Sequence, residues 1–543
     1  MCGFFVDTGS GMKVDALEAA AGKIQHRGPD ATRTWQQKDK VMIFHRLAIM
    51  DRRESGMQPF EVPGSVTMVC NGEIYNEPEL KRQFVDHFSF QSNSDCEVLL
   101  PMYLQHKVEA MSAQLDAEFA LVGYDHEGDF FFASRDPIGI RPLFYGHAKT
   151  NGAMMFASEA KSLQALCEEV KPFPPGKTYR SDTDQFEWFC DPGQYELNGL
   201  DSMDHILEGI RVRLEAAVEK RLRSDAPVGF LLSGGLDSSL VCAIGRRILG
   251  RPITTFSVGI DVDPIDLGFA KQVADDLGCD HHEVRFTKEE VFEALSELIY
   301  HLETFDITTI RASVGMYLVC KYVREKTDVK VLMTGEVSDE LFGYKYTDFA
   351  PTAADFQEEA QKRVRELYAY DVLRADRCIS AHGLEARVPF GDLEFVDFVM
   401  GVAPELKMNH HGIGKYLLRK AFDGLGYLQD DILYREKAAF SDAVGHSMVD
   451  ELKLLAEDRY SEEDLIRAAT RYPEHSPISK ESLMYRDIFE TYYPGRAAWI
   501  PGYWMPNASW ENCAVDDPSA RALPNYGQSG DASQPDRKRQ LAV

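Results

Sequence analysis

Apolar positions in the first 190 residues fall in short runs rather than at helical spacing, and these runs predict strands. They include Lys40–Leu47, Val66–Cys70, Phe119–Tyr124 and Phe130–Ser134. Turn-forming sequence punctuates them at Arg27-Gly-Pro-Asp30, Asn71-Gly72 and Asp136-Pro-Ile-Gly139. Two stretches, near 14–25 and 95–115, have helical character. Strand runs with few helices between them predict an α+β domain built on antiparallel sheets.

Residues 171–202 carry Pro172, Pro174-Pro-Gly176, Asp191-Pro-Gly193 and Asn198-Gly199, the composition of strand ends and a connector. Beyond 203 the pattern changes. A helical run over 206–222 leads to a strand at 228–232, a Gly/Ser loop and a helix over 238–249. Strand 253–260, helix 267–278, strand 282–286, more helix and strand 329–333 follow. Strands alternating with helices predict a parallel sheet covered on both sides. Residues 354–500 read as mostly helical. The expected division is therefore 2–190, 203–515, and a tail at 516–543 that lacks apolar periodicity and is expected to be mobile.

Composition narrows the possibilities. Of 543 residues, 44% are hydrophobic and 27% charged, which suits a soluble protein with sizeable cores. The net charge of −28 repels phosphate backbones and anionic lipid, so neither nucleic acid nor membrane is expected as a partner. The start, Met-Cys-Gly-Phe-Phe-Val-Asp, lacks the basic region of a secretory signal. Ten scattered cysteines without metal-like spacing read as reduced thiols, and a cytoplasmic location is expected.

Candidate chemistry begins at Cys2. Removal of Met1 would place a thiol and a free α-amine on one residue, and an amine with an ordinary pKa of about 7.7–8.0 suits a base that activates its own side chain. Arg27-Gly-Pro-Asp30, His45-Arg46-Leu-Ala-Ile49, Asn71-Gly-Glu-Ile-Tyr-Asn76, Ser94-Asp-Cys-Glu97 and Arg135-Asp-Pro-Ile-Gly139 follow in order. Together these resemble the class II glutamine amidotransferase domain. The resemblance implies an N-terminal-nucleophile antiparallel sheet sandwich in which Cys2 attacks a glutamine amide and releases ammonia. It also implies that glutamine is held by Arg46, Leu47, Ala48, Ile49, Met50, Glu73 and Asp95, with Asn71 and Gly72 stabilising the oxyanion. The residue types make chemical sense: a guanidinium for the α-carboxylate, carboxylates for the α-ammonium, fixed donors for the oxyanion. Taken singly, Asn71-Gly72 is a hairpin turn and Asp95 a helix cap.

Val228-Gly-Phe-Leu-Leu-Ser-Gly-Gly-Leu-Asp-Ser-Ser239 reads as strand, hydroxyl- and glycine-rich turn, and helix start, which aims N–H groups at an anion. It lacks the Walker A lysine. The loop resembles that of enzymes that cleave ATP between its α- and β-phosphates. Thr255–Gly259, Glu303–Ser313, Met333-Thr-Gly-Glu-Val-Ser-Asp-Glu-Leu-Phe-Gly343, Leu373–Arg377, Ala381–Phe390, Lys415–Lys420 and Tyr434–Asp442 extend the likeness. As an ordered set they resemble the glutamine-hydrolysing asparagine synthetases from Cys2 to about residue 522.

That resemblance implies an α/β parallel-sheet pyrophosphate-loop ATP-binding domain with a mostly helical C-terminal part. ATP would meet Leu232, Ser233, Gly234, Gly235, Asp237, Ser238, Ser239, Val258, Thr334, Gly335 and Lys437. Mg2+ would face Asp237 and Asp339, Arg311 and Arg387 would make further phosphate or substrate contacts, and Glu336 would assist catalysis. The implied substrates are glutamine, aspartate and ATP, and the implied assembly is a homodimer. A related ligase acting on another carboxylate, β-lactam synthetase-like or peptide-modifying, and a catalytically silent regulator are the alternatives. Val337 stands where the family usually has glycine, and a β-branched residue disfavours positive φ. His281-His282 has no third metal-like neighbour in sequence and reads as structural.

Overall fold

The computed structural model describes residues 1–199, 202–260, 265–435 and 446–519. The chain divides into two compact units. The first comprises Met1–Pro192 with the short segments Ser224–Pro227 and Ile379–Ala386, and the second comprises Gly193–Arg223, Val228–Cys378 and Arg387 onward.

Strands of the first unit are β1 (Gly3–Asp7), β2 (Ala31–Gln37), β3 (Lys40–Arg46), β4 (Phe60–Val62), β5 (Val66–Ile74), β6 (Ala117–Asp125), β7 (Phe130–Arg135), β8 (Phe144–Ala148), β9 (Met154–Ala157), β10 (Cys167–Pro172), β11 (Lys177–Arg180) and β12 (Gln185–Trp188). They form two six-stranded sheets, β10-β8-β9-β1-β3-β2 and β12-β11-β7-β6-β5-β4. Neighbours such as β1 and β3, or β5 and β6, run antiparallel. One core cluster joins Phe4, Val6, Phe44 and Phe156 of the first sheet to Val69, Ala120, Val122 and Phe131 of the second. The opposite face of the second sheet packs Met68, Phe119, Leu121 and Phe132 against Leu99, Met102, Tyr103 and Met111 of the helix Leu99–Ser112. Each such side chain contributes about 1.5–3 kcal/mol on leaving water, so both faces of the second sheet anchor this unit.

Asn71-Gly72 is not a turn. Both residues lie inside β5, opposite Ala120 and Phe119 of β6, because the apolar run continues through Ile74 and pairs along its length. Gly72 is required by closeness rather than by a bend: a Cβ there would lie 2.5 Å from the Glu118 carbonyl oxygen and 2.8 Å from Phe119 Cα. The expected helix near 14–25 is Val14–Ala21 followed by a 3-10 turn, Gly22–Arg27.

In the second unit β13 (Val228–Leu231), β14 (Thr254–Ile260), β15 (Asp280–Phe286) and β16 (Val331–Met333) are ordered β15-β14-β13-β16. The pairs β13–β14, β13–β16 and β14–β15 are parallel. Helices Met203–Arg221, Leu236–Leu249, Ile265–Leu277, Lys288–Leu302 and Ile307–Lys326 supply the crossovers and flanks. Their boundaries have local causes. Leu236–Leu249 ends at Gly250 in the left-handed region (φ 62), and Lys288–Leu302 starts on a Thr287/Glu290 capping box. Helices Ala353–Glu366, Asp371–Ser380, Leu393–Met400, His446–Arg459, Glu462–Arg471 and Lys480–Tyr492 make the later part mostly helical.

His281 is structural, its ring nitrogens meeting the Thr255 and Ser257 hydroxyls at 2.8 and 3.1 Å. Of the tail expected from 516, residues 520–543 lie outside the described residues, while Asp517 is held by Arg311 and Lys453 at 2.8 and 2.5 Å. All ten cysteines are free, and no described helix is long and apolar enough to cross a membrane.

Replacing Gly72 by Ala should force β5 and β6 apart. Overpacking of this kind costs about 1–3 kcal/mol. Urea denaturation followed through the first unit should show an earlier midpoint, and an unchanged midpoint would contradict the close approach.

Candidate functional site

Cys2 immediately precedes β1, and its Sγ accepts the Leu47 N–H at 3.4 Å while lying 3.6 Å from the Leu47 carbonyl. Buried Arg27 donates Nε to the Cys2 carbonyl at 3.1 Å and Nη1 to Glu159 at 2.7 Å, fixing the backbone behind the thiol. Burial pushes the Cys2 thiol up to about 11, against the pull of the nearby chain amine. Burial also pushes the Met1 amine down to about 5. Near neutrality this is a protonated thiol beside a neutral amine. With Met1 attached, that amine belongs to Met1 and donates to the Leu384 carbonyl at 2.8 Å.

Arg46, the last residue of β3, turns back on the loop after it. Its Nη1 donates to the Arg53 carbonyl at 2.6 Å, and its Nη2 to the carbonyls of Met50 and Asp51. The guanidinium thereby holds Leu47, Ala48, Ile49 and Met50 in one loop, in which Leu47 and Ile49 are buried and the Ala48 N–H donates to Asp30 at 2.9 Å. On β5, Asn71 Nδ2 is buried and has no acceptor among the described residues. An unmade buried donor costs about 1–3 kcal/mol, so it marks a place where an acceptor fits. Glu73 is buried two residues on. Asp95 is not a helix cap: Ser94 stands at that position, and Asp95 Oδ2 accepts the Ile74 N–H at 2.7 Å, tying its turn to the end of β5.

The second candidate site is a cavity of about 280 Å3 at the C-terminal ends of β13, β14 and β16. Its lining includes Leu232, Ser233, Gly235, Asp237, Ser238, Val258, Thr334, Gly335, Glu336 and Asp339, all singled out from sequence. Gly234 shapes the loop from behind: with φ 68 and a Cβ position 2.6 Å from the Ala270 nitrogen, it admits only glycine. The Ser233 N–H donates to Ser238 Oγ at 3.1 Å, and the two hydroxyls lie 2.8 Å apart at the start of helix Leu236–Leu249. Ser239 Oγ is buried without a partner among the described residues. A hydroxyl-lined helix N-terminus of this kind favours phosphate. Lys437 lies outside the described residues.

Between Gly335 and Ser338 the chain reverses through Val337, which is buried in the left-handed region at φ 82 and ψ −20. The sequence argued against positive φ at a valine, and the fold imposes it. Such a conformation costs on the order of 1–3 kcal/mol and persists where its surroundings over-determine it. The reversal brings Ser338 Oγ to 2.6 Å from Asp237 Oδ1.

Among the basic residues of the lining, Lys415 and Arg374, neither with an expected role, meet the acidic residues singled out from sequence. Lys415 Nζ lies 2.8 Å from Asp237 Oδ2 and 2.5 Å from Asp339 Oδ1. Burial disfavours its charge, but Asp237 and Asp339 outweigh that and hold Lys415 above the usual lysine range. Arg374 donates Nη2 to Glu336 and, at 2.9 Å, to Asp371. Burial pushes Glu336 up to about 7 against the opposing charge of Arg374, and Asp371, Asp339 and Asp237 push in the same direction as burial. Both residues stood within motif strings, but their partners are 178 and 38 residues away in sequence, so only the fold reveals the pairing.

Arg311 and Arg387 are not among the residues lining the cavity. Arg311 forks onto Glu481 through Nε at 2.8 Å and Nη2 at 2.5 Å, and onto Asp517 at 2.8 Å. Arg387 donates Nη1 to the carbonyls of Arg221 and Arg223 at 2.7 and 2.5 Å. Arg311→Gln should strand Glu481 and destabilise the second unit by about 3–5 kcal/mol. Thermal unfolding checks this, and an unchanged transition would release Arg311 for a ligand role.

Family models match both units. Residues 1–174 match the glutamine amidotransferase domain, and residues 209–354 and 348–520 match asparagine synthase. The chain is 40% identical to the glutamine-hydrolysing asparagine synthetase of Gallus gallus, covering 97% of this chain and 99% of that protein. It is 39% identical to the Homo sapiens enzyme of the same name, over 97% and 99%. A probable asparagine synthetase of Acanthamoeba polyphaga mimivirus is 40% identical over 96% and 100%. Near-complete coverage of both chains by such relatives, with both domains matched in order, means that this protein belongs to the glutamine-hydrolysing asparagine synthetase family.

Proposed function

We propose that the chain makes L-asparagine from L-aspartate, ATP and L-glutamine, releasing AMP, pyrophosphate and L-glutamate. The observation that carries this reading for the second unit is the convergence of the pyrophosphate loop, Asp237, Glu336 and Asp339 on one cavity. In the first unit, Met1 is removed and the amine passes to Cys2. That amine takes the thiol proton as sulfur attacks the glutamine amide. The Asn71 side chain and the Gly72 N–H receive the oxyanion, Arg46 and its loop hold the α-carboxylate, and Glu73 and Asp95 hold the α-ammonium. Water then releases glutamate from the thioester.

In the second unit the aspartate β-carboxylate attacks the α-phosphorus of ATP, giving β-aspartyl-adenylate and pyrophosphate. Ser233, Gly235, Ser238 and Ser239 hold the phosphates, with Leu232, Val258, Thr334 and Gly335 on the nucleoside side and Lys437 as a further cation. Asp237 and Asp339 fit Mg2+, because their oxygens already converge on one cation-sized point at Lys415 Nζ, and Mg2+ beside phosphate takes one or two carboxylates. Bound with ATP, Mg2+ supplies charge neutralisation on the phosphates. Ammonia displaces AMP, and Glu336 takes the proton that the attacking nitrogen must lose. A homodimer in the cytoplasm completes the reading.

The direct test is purified protein with aspartate, ATP, Mg2+ and glutamine, assayed for asparagine, AMP and pyrophosphate. ADP with phosphate would contradict the adenylate route. Cys2→Ala should abolish glutamine hydrolysis while leaving asparagine formation from ammonium salts largely intact; hydrolysis persisting in this variant would remove Cys2 from the mechanism.

Glu336→Gln should lower synthesis by about 10²–10⁴-fold with either nitrogen source while glutamine hydrolysis continues. The pH dependence has a defined sign. Glu336 accepts a proton only when ionised, so wild-type synthesis at constant free ammonia should rise as pH passes about 7, and Glu336→Gln should lack that limb. Near-normal synthesis by a stable Glu336→Gln protein would move the role to Asp339.

A further inference from the structure

We propose that Lys415 is the resident counter-cation of the metal-binding carboxylates. Its ammonium holds the place between Asp237 and Asp339 until nucleotide arrives, so that the divalent cation enters only together with phosphate. The proposal rests on Asp237 and Asp339 being the metal carboxylates of the reading above.

The geometry is specific. Lys415 Nζ meets Asp237 Oδ2 at 2.8 Å, Asp339 Oδ1 at 2.5 Å and Ser338 Oγ at 3.1 Å. An ammonium has three N–H donors, and three acceptors surround this one. Ser338 Oγ donates in turn to the other oxygen of Asp237 at 2.6 Å, so the carboxylate is turned toward the lysine. Lys415 is only 8% exposed and sits in the left-handed region (φ 57) just before helix Tyr416–Phe422. Arg419 pins the preceding residue by donating Nε to the Gly414 carbonyl at 2.8 Å, while its Nη1 reaches the Leu433 carbonyl at 2.6 Å. The lysine is thus aimed at the carboxylates by its backbone.

An ammonium and a divalent cation cannot share the same two oxygens, since like charges a few ångströms apart in a partly desolvated cavity repel strongly. Nucleotide changes the competition. Phosphate oxygens give the ammonium new charge-assisted partners, and its flexible four-carbon stem lets it move to them and leave the carboxylates to the metal. Metal and nucleotide then strengthen each other's binding, necessarily to the same degree. Without nucleotide, the carboxylates are neither left uncompensated nor occupied by a metal that has no phosphate to serve.

The test uses Mn2+ as an EPR-visible probe on the full-length protein, with and without an ATP analogue carrying a methylene between its α- and β-phosphates. Wild type should bind Mn2+ weakly alone and much more tightly with the analogue. Lys415→Met should bind Mn2+ alone about 10- to 100-fold more tightly than wild type. Lys415→Arg, which keeps the charge, should remain weak.

Wild type binding Mn2+ equally well without the analogue would overturn the proposal and needs no variant. Lys415→Met binding no more tightly than wild type, or Lys415→Arg matching Lys415→Met, would also overturn it. If the analogue still recruits Mn2+ to wild type in those cases, the metal reading of Asp237 and Asp339 stands and only the role of Lys415 falls. If the analogue recruits none, both fall.

Discussion

Carboxylates crowded around one cavity are the constraint on which the second unit depends. Glu336, Asp339 and Glu340 occupy a single tight reversal and helix start, and Asp237 and Asp371 face them from other elements. Burial, followed by the charges of Asp371 and Asp339, pushes Glu340 well above the usual carboxylate range. Such a cluster is tolerable only with cations inside it, and Arg374 and Lys415 supply them. The left-handed Val337 is the backbone counterpart: the turn that packs Glu336 and Asp339 so closely accepts strain at a residue poorly suited to it.

Burial tunes chemistry in the first unit as well, but with opposite signs on two groups. It raises the Cys2 thiol and lowers the Met1 amine, separating a proton donor from a neutral amine within adjoining residues. Cross-strand closeness does the remaining positioning. Gly72 brings β5 against β6, Asn71 beside it keeps a buried donor without an acceptor among the described residues, and Asp95 is fastened to the strand's end through the Ile74 N–H. The sandwich core between the two sheets supplies the rigidity that holds an unsatisfied donor in place.

Sequence carried the architecture where the signal was local. Turn residues, short apolar runs and the strand–loop–helix at 228–249 are visible without knowledge of the fold, and Ser233, Gly235, Asp237 and Ser238 of that loop line one cavity. It was weaker where long-range pairing decides. Asn71-Gly72 carries a turn signature, but β6, more than forty residues later, makes it strand. For Arg311 the resemblance implies a phosphate or substrate contact, whereas the fold pairs it with Glu481, 170 residues on. Arg387 carries the same implied contact, and it spends donors on the carbonyls of Arg221 and Arg223. Lys415 and Arg374 were present in recognisable strings, yet a lysine or arginine in sequence does not disclose which carboxylate it will meet.

The central claim is that aspartate is activated by forming a bond to the α-phosphorus of ATP. Aspartate labelled with ¹⁸O in its β-carboxylate tests this most directly, with the products of glutamine-dependent turnover separated and weighed by mass spectrometry. The account predicts one labelled oxygen carried into AMP and none into pyrophosphate. Unlabelled AMP, or label in inorganic phosphate alongside ADP, would contradict it.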